Sequence, residues 1–153
     1  CKYFEYAIGT KCVTLSEDCF EHHFPGQPVY PGAMLIESMA QLGGALLELS
    51  HRKLHGTCPR CVLSNVKAKF RDFVKGGDQL QLKAHVVSHH EDSAQVRVVI
   101  LRDAKRVAQA EIIYILLTID DQRLEASRQD FLDVLTRQTQ FVEADDGDSE
   151  DAS

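Results

Sequence analysis

Residues 22–54 read HHFPGQPVYPGAMLIESMAQLGGALLELSHRKL, and the change of character at Pro31-Gly32 decides how the rest of the chain can fold. Before that point Pro25, Gly26, Pro28, Pro31 and Gly32 interrupt the backbone too often for any regular element, and a proline-braced loop holds one shape at small entropic cost. From Pro31 to about Leu54 the spacing becomes helical, with Pro and Gly at the start, where proline's missing N–H costs nothing. Such a helix of about 20 residues spans roughly 30 Å. Its apolar side chains, from Met34 through Met39 and Leu42 to Leu49, cover most of the circumference, the pattern of a helix surrounded by sheet or by another subunit. Gly43 and Gly44 weaken the helix intrinsically but let a neighbour approach closely.

Outward from this helix the chain reads as strands. Residues 2–16 alternate partially through Tyr3, Tyr6, Ile8, Val13 and Leu15, which predicts one or two strands. After the helix, strand-like runs fall at about 62–75, 79–90, 94–102 and 106–119; in the second, Leu80, Leu82, Ala84 and Val86 alternate with Gln79, Gln81, Lys83 and His85. Gly76-Gly77-Asp78, Glu91-Asp92-Ser93 and Asp103-Ala104-Lys105 are turns between them, and such short connections predict antiparallel neighbours. The class is therefore α+β, a meandering antiparallel sheet able to wrap one long helix. Ser127 and Asp130 have the form of a capping box, and Phe131, Leu132, Val134 and Leu135 form a short apolar stripe, so a second helix is predicted over about 128–139.

The 153 residues, 44% hydrophobic, suit one domain, and the charge separates into two parts. Of 23 acidic residues, Glu143, Asp145, Asp146, Asp148, Glu150 and Asp151 lie beyond residue 142 with no base among them. Removing these six leaves 17 acids against 17 bases, so the net charge of −6 belongs to the tail. The organisation predicted is one domain over 1–142 and a disordered acidic tail over 143–153. A neutral body without a long basic run argues against nucleic acid as the principal partner. There is no apolar run near the ~20 residues of a membrane helix and no secretory leader, which makes the cytoplasm the expected compartment. The chain opens on Cys1, which points to trimming or truncation.

Cys1, Cys12, Cys19, Cys58 and Cys61 form an odd, irregularly spaced set, unlike a secreted disulfide framework, and reduced thiols are expected. His51, His55, Cys58 and Cys61, in HRKLHGTCPRC, could surround a zinc ion tetrahedrally; the alternative is a helix ending in polar residues near Gly56, with two ordinary thiols following.

The chemistry-bearing stretch is His22 to Gln41. It puts a histidine in the braced loop and then a carboxylate, Glu37, four residues before an amide, Gln41, on one helix face. If that face is buried, desolvation raises the carboxyl pKa towards the range useful to a general acid. Glu48, His51 and His55 continue roughly the same face, so the stripe can equally be a wet one.

The string HFPGQPVYPGAMLIESMAQ resembles the signature of the β-hydroxyacyl-acyl-carrier-protein dehydratases of fatty-acid synthesis, the FabZ/FabA family with the hot dog fold. A second stretch, KAKFRDFVKGGDQLQLKAHV, resembles the strand pair that follows in that family, and the resemblance covers about residues 8–118. It implies that His23 is the catalytic histidine and Glu37 the catalytic carboxylate. It implies further that the Gly32 N–H binds the thioester carbonyl oxygen and that Gln41 orients the acid. A Glu at position 37, where the isomerising branch usually has Asp, is similar to the FabZ branch. His22 stands where the family usually has Gly.

The activity implied is dehydration of (3R)-3-hydroxyacyl thioesters on acyl carrier protein to trans-2-enoyl thioesters, with no metal or organic cofactor. A homodimer or a trimer of dimers is implied, with His and Glu of one site supplied by different subunits. Acyl carrier protein is acidic, and Arg52, Lys53, Arg60, Lys67, Lys69, Arg71 and Lys75 are candidates for its docking patch by local density. Two other readings keep the fold: a thioesterase, and a non-catalytic acyl-binding subunit.

Overall fold

The computed structural model describes residues 1–21 and 23–142; His22 and the acidic tail expected over 143–153 lie outside the described residues. Strands β1 (Tyr6–Cys12), β2 (Arg60–Phe70), β3 (Gln79–His89), β4 (Ser93–Arg102) and β5 (Lys105–Leu117) form one antiparallel sheet, joined by helices α1 (Gly32–His55) and α2 (Gln122–Leu135).

Helix α1 takes up the expected span. Pro31 caps its start in an extended conformation, and Gly56 ends it with φ 69°, its N–H returning to Arg52 O at 3.1 Å. A left-handed residue at that position is what closes a helix with glycine at little cost. Met39, Leu46 and Leu47 are fully buried in α1 and meet Leu80, Val96, Val98, Ile100 and Ile112 from the concave face of the sheet. Each such side chain contributes about 1.5–3 kcal/mol on burial. The sheet wraps the helix as the hot dog fold requires, and the alternation of β3 survives intact, with Leu80, Leu82 and Ala84 buried.

The order across the sheet is β1-β3-β4-β5-β2, which corrects the expected meander. Only β3, β4 and β5 follow one another; β2 pairs with β5 and β3 with β1. Chain direction explains the difference. The run expected over 62–75 leaves the sheet after Phe70, and residues 71–78 carry the backbone across the end of the sheet, with Arg71 N–H bonded to Val107 O at 2.8 Å. Gly76-Gly77-Asp78 thus ends a crossing rather than closing a hairpin. The β4–β5 turn does close one, with Asp103 at φ 49° and Ala104 at φ 64°, the paired left-handed residues of a tight hairpin turn.

Helix α2 begins six residues earlier than its predicted start at 128 and ends at Leu135. The Asp121 carboxylate accepts hydrogen bonds from Arg123 N–H and Leu124 N–H, so it is the N-cap, and Ser127 with Asp130 falls inside the helix. Of its apolar stripe only Leu132 is buried, in a small second core with Ala45, Leu49 and Cys58. Arginines anchor the rest: Arg128 Nε donates to Glu48 Oε2 at 2.6 Å, Arg52 to Asp133 at 2.7 Å, and Arg60 to Leu124 O at 2.7 Å. No helix among the described residues is long and apolar enough to cross a membrane.

Candidate active site

The braced loop is built from its own backbone. Phe24 N–H bonds Gln27 O at 3.1 Å, Gln27 N–H returns to Phe24 O at 2.9 Å, and Val29 N–H reaches His23 O at 2.9 Å. Gly26 at φ 80° makes the tight reversal possible. Tyr30 then pins the loop to the sheet's rim through Val74 O at 2.7 Å and is itself buried. Within this frame His23 Nδ1 lies 3.0 Å from Val29 O. A carbonyl oxygen only accepts, so Nδ1 carries the proton and Nε2 of the neutral ring keeps its lone pair. Sequence reasoning gave the histidine but not this carbonyl, because any residue at position 29 presents one.

Gly32 heads α1. Its N–H and that of Ala33 precede the first intrahelical acceptor, while Met34 and Leu35 N–H already bond Pro31 O. The positive end of a 24-residue helix thus faces the loop with open donors. A Cβ at Gly32 would approach the Phe70 ring to 3.1 Å, so a larger residue fits here only if that ring gives way. One turn and a half further on, Gln41 Nε2 donates to Glu37 Oε1 at 2.7 Å. Within one chain both side chains are exposed and no apolar shell surrounds the carboxylate, yet the stripe is not wet throughout, since Glu48 is buried and His51 half-buried further along it. Beneath them the buried Tyr114 hydroxyl donates to Ala40 O at 2.8 Å, and burial pushes its phenol up, which keeps it a donor.

Glu37 and Gln41 are therefore brought together by a hydrogen bond, with Gly32 at the head of the same helix. His23 is not joined to them: among the described residues no hydrogen bond or ion pair links His23 to Glu37.

The zinc reading of His51, His55, Cys58 and Cys61 fails. No group of three or more His, Cys, Asp or Glu among the described residues is placed to hold a metal ion. Cys58 is buried and Cys61 lies in β2 against the core, and burial, reinforced by Glu48, pushes both thiols up. His51 instead meets His89, with their Nε2 atoms 2.9 Å apart. Of the seven basic candidates, Arg52 and Arg60 are committed to α2, while Lys53, Lys67, Lys69, Arg71 and Lys75 are exposed.

A family model described as a FabA-like domain matches residues 4–114. The chain is 41% identical over 106 residues to the 3-hydroxyacyl-[acyl-carrier-protein] dehydratase FabZ of a Nitratiruptor species, covering 67% of this chain and 72% of that protein. It is 37% identical over 112 residues to the FabZ of Clostridium acetobutylicum, covering 72% and 77%. Among solved structures, smu.793 from Streptococcus mutans bound to acetyl CoA matches with a TM-score of 0.61 at 16% identity, covering 79% of this chain and 88% of that one. The dehydratase heterocomplex ApeI:P from Xenorhabdus doucetiae matches at 0.57 and 21% identity, covering 73% and 88%. These distant structures establish the fold alone. The chain belongs to the FabA-like family of hot dog dehydratases, in its FabZ branch, and it is a dehydratase.

Proposed function

We propose that this chain removes water from (3R)-3-hydroxyacyl thioesters of acyl carrier protein, giving trans-2-enoyl thioesters, with His23 as base and Glu37 as acid. The observation that carries the assignment is the His23 Nδ1 contact with Val29 O at 3.0 Å, because it commits Nδ1 and leaves Nε2 as the basic atom. Nε2 takes the proton from C2. The C2–H electron pair forms the C2–C3 double bond as the C3–O bond breaks, and Glu37 supplies the proton with which hydroxide leaves as water. With Oε1 held by Gln41 at 2.7 Å, the other oxygen, Oε2, is the one that carries and delivers that proton. Charge building on the thioester oxygen is met by Gly32 N–H with the helix dipole behind it; one such donor is typically worth about 10²–10³ in rate. These steps use the chain's own groups and the substrate.

Exposure of Glu37, with no hydrogen bond or ion pair between it and His23 among the described residues, supports a site completed by a second copy, as a homodimer or a trimer of dimers. β2 is an unpaired sheet edge, and Val62 and Leu63 on it are exposed, which suits continuation of the sheet across a two-fold axis. Lys67, Lys69, Arg71 and Lys75 would face the acidic carrier protein. Residues 1–142 would act as the catalytic domain, in the cytoplasm, with 143–153 as a separable tail.

The test is a paired assay on crotonyl-acyl carrier protein. Loss of enoyl absorbance without release of free thiol is expected. Thiol release instead would assign a thioesterase, and carrier-protein binding with neither signal would assign a non-catalytic subunit.

A further inference from the structure

The peptide group between Val29 and Tyr30 is held on both sides. Its carbonyl accepts from His23 Nδ1 at 3.0 Å, and its N–H donates to Val74 O at 2.7 Å. A trans peptide group is rigid and planar, with C=O and N–H pointing in opposite directions, so holding the N–H aims the carbonyl. The peptide group between Val74 and Lys75 is held in the same way. Its carbonyl accepts Tyr30 N–H, and its N–H donates to Asp78 Oδ2 at 2.9 Å. Asp78 Oδ2 also accepts from Arg102 Nη1 at 2.8 Å. Four hydrogen bonds in series thus run from the His23 ring to the last residue of β4. Tyr30 and Val74 are 2% and 1% exposed, so water does not replace the middle of this series while the loop stays closed.

Residues 71–78, which present Val74 O, have no regular structure of their own. Strand backbone pins the two ends of the segment: Arg71 N–H bonds Val107 O at 2.8 Å, and Gly77 N–H bonds Val13 O at 2.7 Å. The middle is held by the half-buried Arg102 guanidinium. Besides Asp78, Nη1 donates to Phe73 O at 2.8 Å, and Nη2 donates to Asp72 Oδ2 at 2.6 Å. Its planar fork therefore ties groups on both sides of Val74 to the sheet, which a flexible ammonium could not do at once. Bonds in series also polarise one another, and a carboxylate at the far end makes the Val29 carbonyl a better acceptor for the proton on Nδ1.

We propose that Arg102 is a positioning residue of the dehydration: through Asp78 and two peptide groups it holds the His23 ring with Nδ1 protonated and Nε2 turned to the substrate. This rests on the dehydratase reading above and adds to it a residue that touches neither substrate nor His23.

The experiment compares the full chain with Arg102→Gln, with Asp72→Asn and with Arg97→Gln, a control that breaks the exposed Arg97–Glu111 pair on the same strand. For hydration of crotonyl-acyl carrier protein, kcat is expected to fall about tenfold in Arg102→Gln and about threefold in Asp72→Asn, with KM held within about twofold and no change in the control. Amide hydrogen exchange at Tyr30 is expected to quicken in both variants while that of Leu82, in the core of β3, stays as in the wild type. If Arg102→Gln does not fold, Asp72→Asn, which removes only the outer arm of the fork, decides by the same readouts. An unchanged kcat overturns the proposal. A rise in KM alone does so too, because it would put Arg102 on the carrier protein, and so does equal quickening at Leu82, which reads a general loss of stability. The ¹⁵N shifts of the His23 ring in substrate-free protein report the series without turnover. A smaller Nδ1-protonated share in Arg102→Gln, with no hydration by any protein, sinks the dehydratase reading and keeps the positioning; hydration by every protein at one rate, with unchanged ring shifts, does the reverse.

Discussion

The side-chain amide of Gln41 donates to Glu37 Oε1 at 2.7 Å, one turn apart on α1, and so fixes the plane of an otherwise exposed carboxylate. Removing that restraint leaves the acid present but free to rotate, which costs orientation rather than binding. Gln41→Leu is expected to lower kcat about tenfold with KM changed by less than about twofold. Steady-state kinetics on crotonyl-acyl carrier protein checks it, and an equal effect on KM would place Gln41 in substrate binding instead.

Glu48 is the one buried carboxylate of α1, and Arg128 on α2 is its ion-pair partner at 2.6 Å. Arg128→Met abandons a buried charge, so it is expected to cost about 3–5 kcal/mol, whereas Glu48→Gln in the same chain removes the charge and recovers more than half of the loss. Urea unfolding at pH 7 measures both. A loss near zero for the single variant would mean that Glu48 is solvated.

His51 and His89 form a pH-sensitive contact. Their Nε2 atoms are 2.9 Å apart, which requires at least one neutral ring. Burial, with His89 and His55 beside it, pushes His51 down; burial, with His55 and His90 beside it, pushes His89 down. Both groups thus have folded pKa values below the unfolded value near ~6.5, and the unfolded chain binds more protons between the two. Stability is fully present above about pH 6.5 and is lost as pH falls below it. Thermal melts at pH 7.5 and 5.5 should show a drop in Tm that is at least halved in His89→Gln.

Alanine usually stabilises a helix interior relative to glycine by about 1 kcal/mol. At Gly43 the sign should reverse, because the new Cβ would stand 2.5 Å from the Tyr114 hydroxyl, which is bonded to Ala40 O at 2.8 Å. Gly43→Ala is expected to destabilise by about 1–3 kcal/mol, and adding Tyr114→Phe should return part of it. Denaturant midpoints of the three proteins decide the point.

What the sequence made legible follows from how local each signal is. α1 was readable because Pro31, Gly32 and Gly56 mark its ends and Met34 to Leu49 its apolar surface. β3 was readable from the alternation of Leu80, Leu82 and Ala84 with polar residues. The pairing of β2 with β5 was not, since residues 71–78 look like a turn and nothing local says which strand Val66 faces across a separation that brings it to Ile112. The cap of α2 is not legible, because Ser127 and Asp130 imitate a capping box, while Asp121 precedes a turn with little apolar pattern. Likewise His23, Gly32, Glu37 and Gln41 could be named from one string, but periodicity gives the face of Glu37 and not what covers it. The partnership of His51 with His89, 38 residues away, carries no sequence signal at all.

The central claim is that His23 and Glu37 divide the proton transfers of one dehydration. It is tested most directly by the rate of enoyl absorbance loss on crotonyl-acyl carrier protein in the wild-type chain, in His23→Ala and in Glu37→Ala. General acid–base groups contribute about 10²–10⁴ each, so both variants are predicted to fall by at least 100-fold while keeping the wild-type oligomeric mass and carrier-protein affinity. Either variant retaining activity within tenfold of wild type would contradict the account.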